Sequence, residues 1–326
     1  MKAEILRFLK ETPDYLSGQE LCERLGVSRT AVWKVIRQLQ EDGYEIEAVR
    51  NRGYQLRESG DVFTQAELKS VIGTHKVGEN LVFLDTVDST NTRAKQLAEA
   101  GAPDGTLVVA ESQSAAKGRR GRSWLAPSGT GVWFSLMLRP QIEPEHASML
   151  TLVAAMAVEK GIRDTTGLDG SIKWPNDIVV DGKKVCGILT EMSADMDCIN
   201  HVVVGIGINA NIRDFPKELQ DKATSLLLAS GQTVKRAALL NAVLLAWEEY
   251  YETFLQTEDL SLLAEAYNEK LAGLGGMVRV LAPKGEYTGT SRGINRRGEL
   301  LVEREDGSIT EVMSGEVSVR GIYGYV

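Results

Sequence analysis

The spacing of apolar residues changes twice along this chain of 326 residues, and these changes constrain its fold more than any single motif does. Residues 1–60 contain three helical patterns followed by a short alternating segment, whereas residues 61–272 mix helical and alternating patterns. Residues 273–326 contain alternating segments only. The sequence therefore predicts a multi-domain α/β protein with an α-rich domain at 1–60, a mixed α/β domain at 61–272 and a small all-β domain at 273–326.

The same patterns predict the elements of the two later domains. Strands are expected at 81–84, 106–111, 132–138, 171–174, 178–180, 186–192 and 199–208. Helices are expected at 65–71, 92–100, 146–166, 235–254 and 260–271. The last domain is expected to contain strands at 277–281, 286–294, 300–303, 309–314 and 316–322, and short strands at this spacing are typical of a small barrel.

The first domain has the pattern of a winged helix-turn-helix, with the helix-turn-helix at about 18–37. Ser17 and Glu20 have the spacing of a capping box, and Gly26 ends the short helix that they begin. Ser28 begins the next helix. The apolar stripe of that helix consists of Ala31, Val32, Val35, Ile36 and Leu39. Two strands, at 44–49 and 53–56, then form the hairpin of the wing.

In such modules the second helix enters the major groove of DNA. The face of this helix that packing leaves exposed carries donors suited to base edges and phosphates. The predicted DNA-binding residues are Ser28, Arg29, Thr30, Lys34 and Arg37 on the helix, with Arg50 and Arg52 at the hairpin tip. A structural or protein-binding winged helix with a solvated basic face is the alternative. Because residues 1–60 hold ten basic and ten acidic residues, we expect useful affinity to need two copies on a two-fold operator.

Composition excludes several other classes of protein. Hydrophobic residues make up 43% and charged residues 25%, as in soluble globular proteins. No apolar run reaches the ~18 residues of a membrane span, and residues 1–7 carry charges where a signal peptide is apolar. The three cysteines are widely spaced and are expected to be reduced. We therefore expect a cytoplasmic protein, and the net charge of −8 argues against non-specific coating of nucleic acid.

A long loop rich in glycine, serine and arginine, at 112–130, is predicted to bind a small anion. Its segment 117–122 reads Lys-Gly-Arg-Arg-Gly-Arg, and these cations repel one another unless an anion joins them. Gly118 and Gly121 let the backbone approach a ligand closely, and Trp124 offers an aromatic face to a purine. We expect a nucleotide-phosphate loop that is disordered when empty, without the spacing of a Walker loop. A solvated basic loop or an RNA-contacting patch is the alternative.

A second motif, Lys-Trp-Pro-Asn-Asp at 173–177, precedes a predicted hairpin. Pro175 is expected to break the strand and to turn Asn176 and Asp177 out of the sheet pattern. An Asp-Gly turn then brings Lys184 back towards these two residues. A lysine there can neutralise a carboxylate and a phosphate that react together. An ordinary hairpin with an exposed lysine pair is the alternative.

Two weaker signals accompany these motifs. The segment 88–91 follows a strand and precedes a helix, so its side chains serve either as an N-cap or as donors to a polar ligand. The segment 205–209 reads Gly-Ile-Gly-Ile-Asn and suggests close approach to the backbone of a strand.

Taken together, the chain resembles the biotin–protein ligase and biotin operon repressor family of bacteria, the BirA family, over essentially its whole length. The motifs that carry the resemblance are the winged helix, KGRRGRSW at 117–124, KWPND at 173–177, GIGIN at 205–209 and SGEVSVRG at 314–321. The resemblance implies a class II synthetase-like ligase core and a C-terminal SH3-like β-barrel. It implies that biotin and ATP, with Mg²⁺, form biotinyl-5′-AMP and pyrophosphate. Biotin is then transferred to a lysine of a biotin carrier domain of acetyl-CoA carboxylase or a related carboxylase.

The resemblance also implies the residues of the site. The biotin site is expected to comprise Ser89, Thr90, Asn91, Gln113, Lys117, Gly118, Arg119, Lys184, Gly187 and Gly205. The ATP and adenylate site is expected to comprise Arg119, Arg120, Arg122, Trp124, Lys184, Asn209, Glu316 and Arg320. The catalytic residues are expected to be Lys184, Arg119, Asp177 and Asn176, with magnesium near Asp177 and no metal site built from protein ligands alone.

The chain departs from the family at one point, because Ala116-Lys117 stand where the family usually has Gly-Arg. Lys117 keeps the charge but loses the two-pronged geometry of arginine, and Ala116 does not readily adopt a positive φ. This change supports an alternative, a biotin-sensing transcription factor with impaired catalysis. A lipoate or other acyl ligase is a further alternative, against which KWPND and the winged helix speak. In the preferred interpretation the adenylate orders the loop and promotes a homodimer that presents two winged helices to operator DNA.

Overall fold

A computed structural model describes residues 1–122, 124–195, 198–282, 285–313 and 318–321, with only the backbone described for Arg120, Ala282 and 318–321. The chain divides into two compact units. The first unit comprises Met1–Gly73 and Lys235–Asn241, and the second comprises Thr74–Val234 and Ala242–Val326. None of the helices described is both long and apolar enough to cross a bilayer.

The first unit contains the predicted helix-turn-helix and its hairpin. Its elements are α1 (Lys2–Glu11), α2 (Gly18–Leu25), α3 (Arg29–Glu41), β1 (Ile46–Val49), β2 (Gly53–Leu56) and α4 (Gln65–Val71). The strands β1 and β2 pair antiparallel. The apolar stripe of α3 is buried at Val32, Val35, Ile36 and Leu39. These side chains join apolar residues of α1 and α2 in one core, which fixes the opposite face of α3 towards solvent.

The caps of α2 and α3 explain where these helices begin. The Ser17 hydroxyl accepts a hydrogen bond from the Glu20 amide at 3.1 Å, and the Ser28 hydroxyl accepts one from the Ala31 amide at 3.3 Å. The predicted capping box is only half formed. The Glu20 carboxylate accepts from Arg24, one turn along α2, because an ion pair at that spacing competes with the return to the cap.

The second unit is built on a mixed seven-stranded sheet in the order β3-β4-β5-β9-β8-β7-β6. Its strands are β3 (Leu81–Val87), β4 (Thr106–Gln113), β5 (Gly131–Leu138), β6 (Ser171–Lys173), β7 (Asp177–Val180), β8 (Lys183–Asp195) and β9 (Cys198–Asn209). The strands β3 and β4 run parallel, and the other neighbours run antiparallel. Every residue of β5 is buried, which places this strand in the middle of the core.

Five helices of the described chain follow or connect these strands. They are α5 (Thr90–Glu99), α6 (Leu150–Thr166), α7 (Leu226–Ser230), α8 (Arg236–Leu255), which begins in the first unit, and α9 (Ala264–Glu269), with 3₁₀ turns at Arg119–Gly121 and Pro144–Met149. The helices α5 and α6 pack on the sheet. The sequence missed α7, because five residues are too few for a helical period to stand out. The predicted helix at 260–271 is longer than α9, and the predicted start of α5 at residue 92 is two residues late.

The C-terminal segment forms an antiparallel sheet in the order β13-β12-β11-β10-β14. Its strands are β10 (Met277–Ala282), β11 (Gly285–Ile294), β12 (Leu300–Glu303), β13 (Ile309–Val312) and β14 (Ser318–Gly321). Five strands were expected here and five are present in the described part of the segment. The described pairings are those of a sheet, and the finer prediction of an SH3-like barrel stays a prediction.

We predict that Gly161→Ala destabilises the second unit, although alanine is normally the better helix former. A Cβ at Gly161 in α6 would lie 2.5 Å from Val243 Cγ2 and 2.9 Å from the Val243 backbone nitrogen of α8. Overpacking of this kind costs about 1–3 kcal/mol. The matched control is Gly18→Ala in α2, where the nearest atom is Tyr54 Cε2 at 3.5 Å. Urea unfolding of both variants measures the effect, and equal midpoints would contradict the prediction.

Candidate active site

The second unit contains a cavity that brings together most of the residues predicted from the separate motifs. Those that line it are Ser89, Thr90, Asn91, Gln113, Lys117, Gly118, Arg119, Trp124, Asn176, Lys184, Gly187 and Gly205. Asp177 adjoins the cavity through its ion pair with Lys184. The four motif segments are far apart in sequence, so their convergence on one cavity is the main finding about the site.

Some predicted nucleotide residues do not line this cavity. Asn209 is buried and its side-chain amide donates to the Thr224 carbonyl at 3.1 Å. Arg122 is exposed. The side chains of Arg120 and Arg320, and all of Glu316, lie outside the described residues.

Glycines on two paired strands expose backbone at the floor of the cavity. Gly187 of β8 is paired with Gly207 of β9, and Leu189 with Gly205. A Cβ at Gly205 would lie 2.0 Å from Asn91 Oδ1, and one at Gly187 would lie 2.9 Å from Lys184 Nζ. These glycines therefore create the space in which the polar side chains lie.

One end of the cavity is a network of mostly neutral polar groups. The Thr90 amide donates to Gln113 Oε1 at 2.8 Å, and the Ser135 hydroxyl donates to Asn91 Oδ1 at 2.6 Å. The Asn91 amide donates to Glu191 Oε2 at 2.8 Å. Ser89 is buried at the start of α5 and its side chain makes no capping bond, so of the two interpretations of segment 88–91 the cavity favours ligand donors.

The sequence did not single out Ser135 or Glu191. Ser135 is a polar residue on a strand that is otherwise apolar, which was the available signal. Glu191 lies on β8 among several other polar residues and had no such signal. Burial raises the pKa of Glu191, but hydrogen bonds from Lys95 and Asn91 and the nearby charge of Lys117 outweigh it and hold the pKa below its ordinary value. Glu191 is therefore ionised and accepts from Asn91 at neutral pH.

The glycine–arginine segment forms a strap over the cavity, and we define the strap as residues 114–122 and 124–126. A hydrogen bond from the Trp124 amide to the Ala116 carbonyl at 3.0 Å joins its two arms, and the Gly118 amide donates to the Arg122 carbonyl at 2.7 Å. Gly121 has a φ of 70° and makes the tight turn between them. The expected backbone strain at Ala116 does not arise, because its φ is not positive. Its methyl group is buried in an apolar cluster with Trp133 instead.

The other end of the cavity is cationic. Lys184 Nζ donates to Asp177 Oδ1 at 2.5 Å and lies 4.6 Å from the centre of the Trp124 ring. Arg119 Nη1 donates to Asn176 Oδ1 at 2.8 Å. Two cations from different segments thus meet here, each oriented by a neighbour from the KWPND motif.

The turn that supplies these neighbours differs in one respect from the prediction. Asp177 was expected to leave the sheet pattern, but it is the first residue of β7 and pairs with Lys173 and Gly187. Only three residues, including Pro175, separate the end of β6 from the start of β7. A shift of register between β7 and β8 then lets Lys184 reach back to Asp177.

A separate surface in the first unit carries the predicted DNA-binding residues. Ser28, Arg29, Thr30, Lys34 and Arg37 of the α3 segment are exposed, and so are Arg50 and Arg52 of the hairpin. The Arg52 guanidinium lies 4.2 Å from the centre of the Tyr15 ring. Trp33 was not predicted, although its side chain is 55% exposed on this face and the Arg37 guanidinium lies 5.6 Å from the centre of its ring. An aromatic residue outside the apolar stripe was the signal.

Known proteins match this chain over nearly its whole length. A model of the biotin/lipoate A/B protein ligase family matches residues 83–209, an HTH domain model matches 2–55, and a biotin protein ligase C-terminal domain model matches 273–320. The bifunctional ligase/repressor BirA of Bacillus spizizenii is 41% identical over 316 residues, which are 96% of each chain. Its namesake in Bacillus subtilis is 42% identical over 310 residues, which are 94% of each chain.

A solved structure supports the same relationship. The biotin protein ligase from Aquifex aeolicus, in complex with biotin and ATP, matches with a TM-score of 0.66 and 35% identity. The match covers 75% of this chain and 100% of that chain. On the strength of the full-length relatives, the chain belongs to the BirA family of bifunctional ligase/repressors within the biotin protein ligases.

Proposed function

We propose that this protein is an ATP-dependent biotin–protein ligase that also represses transcription of biotin genes. The observation that carries the proposal is the polarity of the cavity, which has a neutral hydrogen-bonding end and a cationic end. Biotin has the matching polarity, since its ureido ring is neutral and its valeryl chain ends in a carboxylate.

In this proposal the ureido ring binds at the neutral end. Ser89, Thr90, Asn91 and Gln113 provide or orient the donors and acceptors that it needs. The glycine floor at 187 and 205 accommodates the bicyclic ring and chain, and the strap covers them through Lys117 and Gly118. Such a site favours a ligand with hydrogen-bonding groups, because an apolar analogue does not replace the water that the remaining donors and acceptors of the lining lose on binding.

Adenylation takes place at the cationic end. The biotin carboxylate and the α-phosphate of ATP are both anionic and repel each other in water. Lys184 and Arg119 lie between them, which positions the carboxylate for direct attack and stabilises charge developing at the α-phosphorus. Pyrophosphate leaves, and no nucleophile from the protein is required. Asp177 orients Lys184, and Asn176 accepts a hydrogen bond from Arg119 of the strap, so both cations are directed to this end of the cavity.

The nucleotide extends from this end along the strap. Trp124 stacks on adenine, and Arg120 and Arg122 hold phosphates, with Asn209, Glu316 and Arg320 completing the nucleotide site. Magnesium that accompanies a triphosphate needs only one or two protein carboxylates, and Asp177 fits this role. No cluster of three or more metal-ligating side chains occurs among the described residues.

The second half-reaction transfers biotin to a carrier domain of acetyl-CoA carboxylase or a related carboxylase. The neutral amine of the acceptor lysine attacks the mixed anhydride and AMP leaves. The acceptor must lose a proton for this step. We place both half-reactions in the cytoplasm, where the carboxylases act.

The domain organisation of the proposal follows from the sequence patterns. Residues 1–60 form the DNA-binding domain, 61–272 the ligase domain with a class II synthetase-like core, and 273–326 an SH3-like domain. The adenylate orders the strap and favours a homodimer, and the dimer places two winged helices on a two-fold operator. The carrier domain and a second subunit compete for one surface, which links biotin demand to transcription.

We predict that Lys184→Ala abolishes biotin-dependent exchange between ATP and pyrophosphate. Loss of one charge-stabilising donor lowers kcat by on the order of 10²–10³-fold. The matched control is Lys183→Ala, because the neighbouring Lys183 side chain donates to the Gln220 carbonyl outside the cavity. Isotope exchange measures both variants. Full activity of Lys184→Ala would contradict the assignment, and exchange that lipoate supports better than biotin would favour an acyl ligase of another specificity.

We predict that Gly205→Ala weakens biotin binding by at least about tenfold. The new methyl group would collide with Asn91 Oδ1 and would displace the amide that orients the neutral end. Gly170→Ala is the control, because its Cβ would meet Ile178 Cγ2 at an ordinary 3.5 Å. Isothermal titration with biotin measures the affinity, and unchanged binding by Gly205→Ala would show that the ligand lies elsewhere.

We predict that DNA binding depends on the exposed face of α3 and on the adenylate. The probe is a duplex selected from a random library by the full chain with biotin, ATP and Mg²⁺. Arg37→Ala should weaken DNA binding and should reduce the slope of log affinity against log salt concentration by about one. Arg57→Ala is the control, because Arg57 pairs with Glu47. Gel shifts with and without biotin and ATP test the coupling, which equal binding in both conditions would refute.

A further inference from the structure

Trp174, the second residue of the KWPND motif, makes a contact that the reaction proposed above does not use. Its side chain is 4% exposed, and its indole Nε1 donates to the Gly298 carbonyl at 3.0 Å. Gly298 belongs to the turn between β11 and β12 of the C-terminal sheet. The hydrogen bond therefore joins the catalytic turn to a segment 124 residues further along the chain.

The turn that contains Gly298 is itself firmly held. The Gly298 amide donates to the Asn295 carbonyl at 2.9 Å, and the Leu260 amide donates to the Arg296 carbonyl at 2.8 Å. Gly298 has a φ of 75°, and a Cβ there would lie 2.9 Å from Leu152 Cδ2 of α6. The acceptor of the indole bond is thus fixed by packing and by backbone hydrogen bonds on both sides.

The residues that follow Trp174 orient both cations of the site. Asn176 accepts from Arg119 and is fixed to β8, because its side-chain amide donates to the Ile188 carbonyl at 3.0 Å. Asp177 accepts from Lys184. Only Pro175 separates Trp174 from this pair, so the indole anchors the start of the turn whose end orients both cations.

We propose that Trp174 is a positioning residue, and that through it the C-terminal sheet sets the geometry of Lys184 and Arg119 for adenylation. This inference rests on the proposed ligase function. If a tryptophan only fills the core, its replacement by phenylalanine costs packing alone. If the tryptophan is a positioning residue, the replacement also removes the N–H that positions it. The Gly298 carbonyl accepts a hydrogen bond from Trp174, and removal of the indole N–H removes this donor from a buried acceptor.

The molecule offers a matched control in Trp247 of α8. Trp247 is fully buried in the same unit, and its Nε1 is buried without a hydrogen-bond partner among the described residues. Trp174→Phe and Trp247→Phe therefore remove the same atoms from buried positions, and only the first removes an indole hydrogen bond. Urea unfolding of both variants accounts for the common loss of packing.

The test is biotin-dependent exchange between ATP and pyrophosphate in the full chain. Trp174→Phe should lower kcat about tenfold, since small misplacement of catalytic groups has large effects on rate. The KM for biotin should change less than about twofold, because ring recognition occurs at the neutral end, whereas Trp247→Phe should retain both parameters. Equal kcat in the two variants, or a change in KM alone, would overturn the inference.

A second variant decides the outcome if Trp174→Phe does not fold. Benzothienylalanine at position 174, introduced by amber suppression, keeps the bicyclic shape and replaces N–H by sulfur. A kcat lowered about tenfold supports the positioning role, and a wild-type kcat refutes it. The wild-type chain separates the two proposals, because absence of biotin-dependent exchange there would refute the ligase function itself.

Discussion

The ion pair between Lys184 and Asp177 is the interaction on which the rest of the site depends. The two side chains are 17% and 13% exposed, so each charge has lost much of its hydration. A partly buried ion pair is weak evidence for stability, because desolvation offsets much of the attraction between the charges. Its value here lies in preorganisation. The ammonium group is held at the cationic end of the cavity before any anion arrives, which removes the cost of assembling it during the reaction.

This preorganisation depends in turn on two glycines that lie opposite each other on neighbouring strands. Gly187 and Gly207 face each other across β8 and β9, and Trp124 and Lys184 pack over them. Any larger residue would occupy the space of the indole and of the lysine. The buried methyl group of Ala116 fixes the strap from its far side. The positions of Lys184, the Trp124 ring and the strap therefore depend on one another, and all three depend on the register of β8 and β9.

The sequence predicted the parts of this site that have a local signature. The Asp-Gly turn, the glycines of β9 and the arginines of the strap all carry a backbone or charge requirement that is visible in a short window. Ser135, Glu191 and Trp174 were missed as site residues, because their importance comes from partners 44 to 124 residues away. The strand position of Asp177 was also misjudged, since the length of an interruption at proline is set by pairing with β8 and not by the proline itself.

The neutral end gives the proposed biotin site a means of discriminating between acyl groups. The Asn91 amide has one possible orientation, because the Glu191 carboxylate only accepts hydrogen bonds and must face the NH₂ group. The Ser135 hydroxyl then donates to the Asn91 amide oxygen, and the Ser135 oxygen also lies 2.8 Å from the Thr90 hydroxyl oxygen. A fixed pattern of donors and acceptors suits a ureido ring. A dithiolane ring has no strong hydrogen-bonding group, so it offers no replacement for the water that the lining loses when the ring is buried. Sites built in this way reject such analogues by about 10⁴-fold or more, which assigns selectivity to the polar network and reactivity to the cationic end.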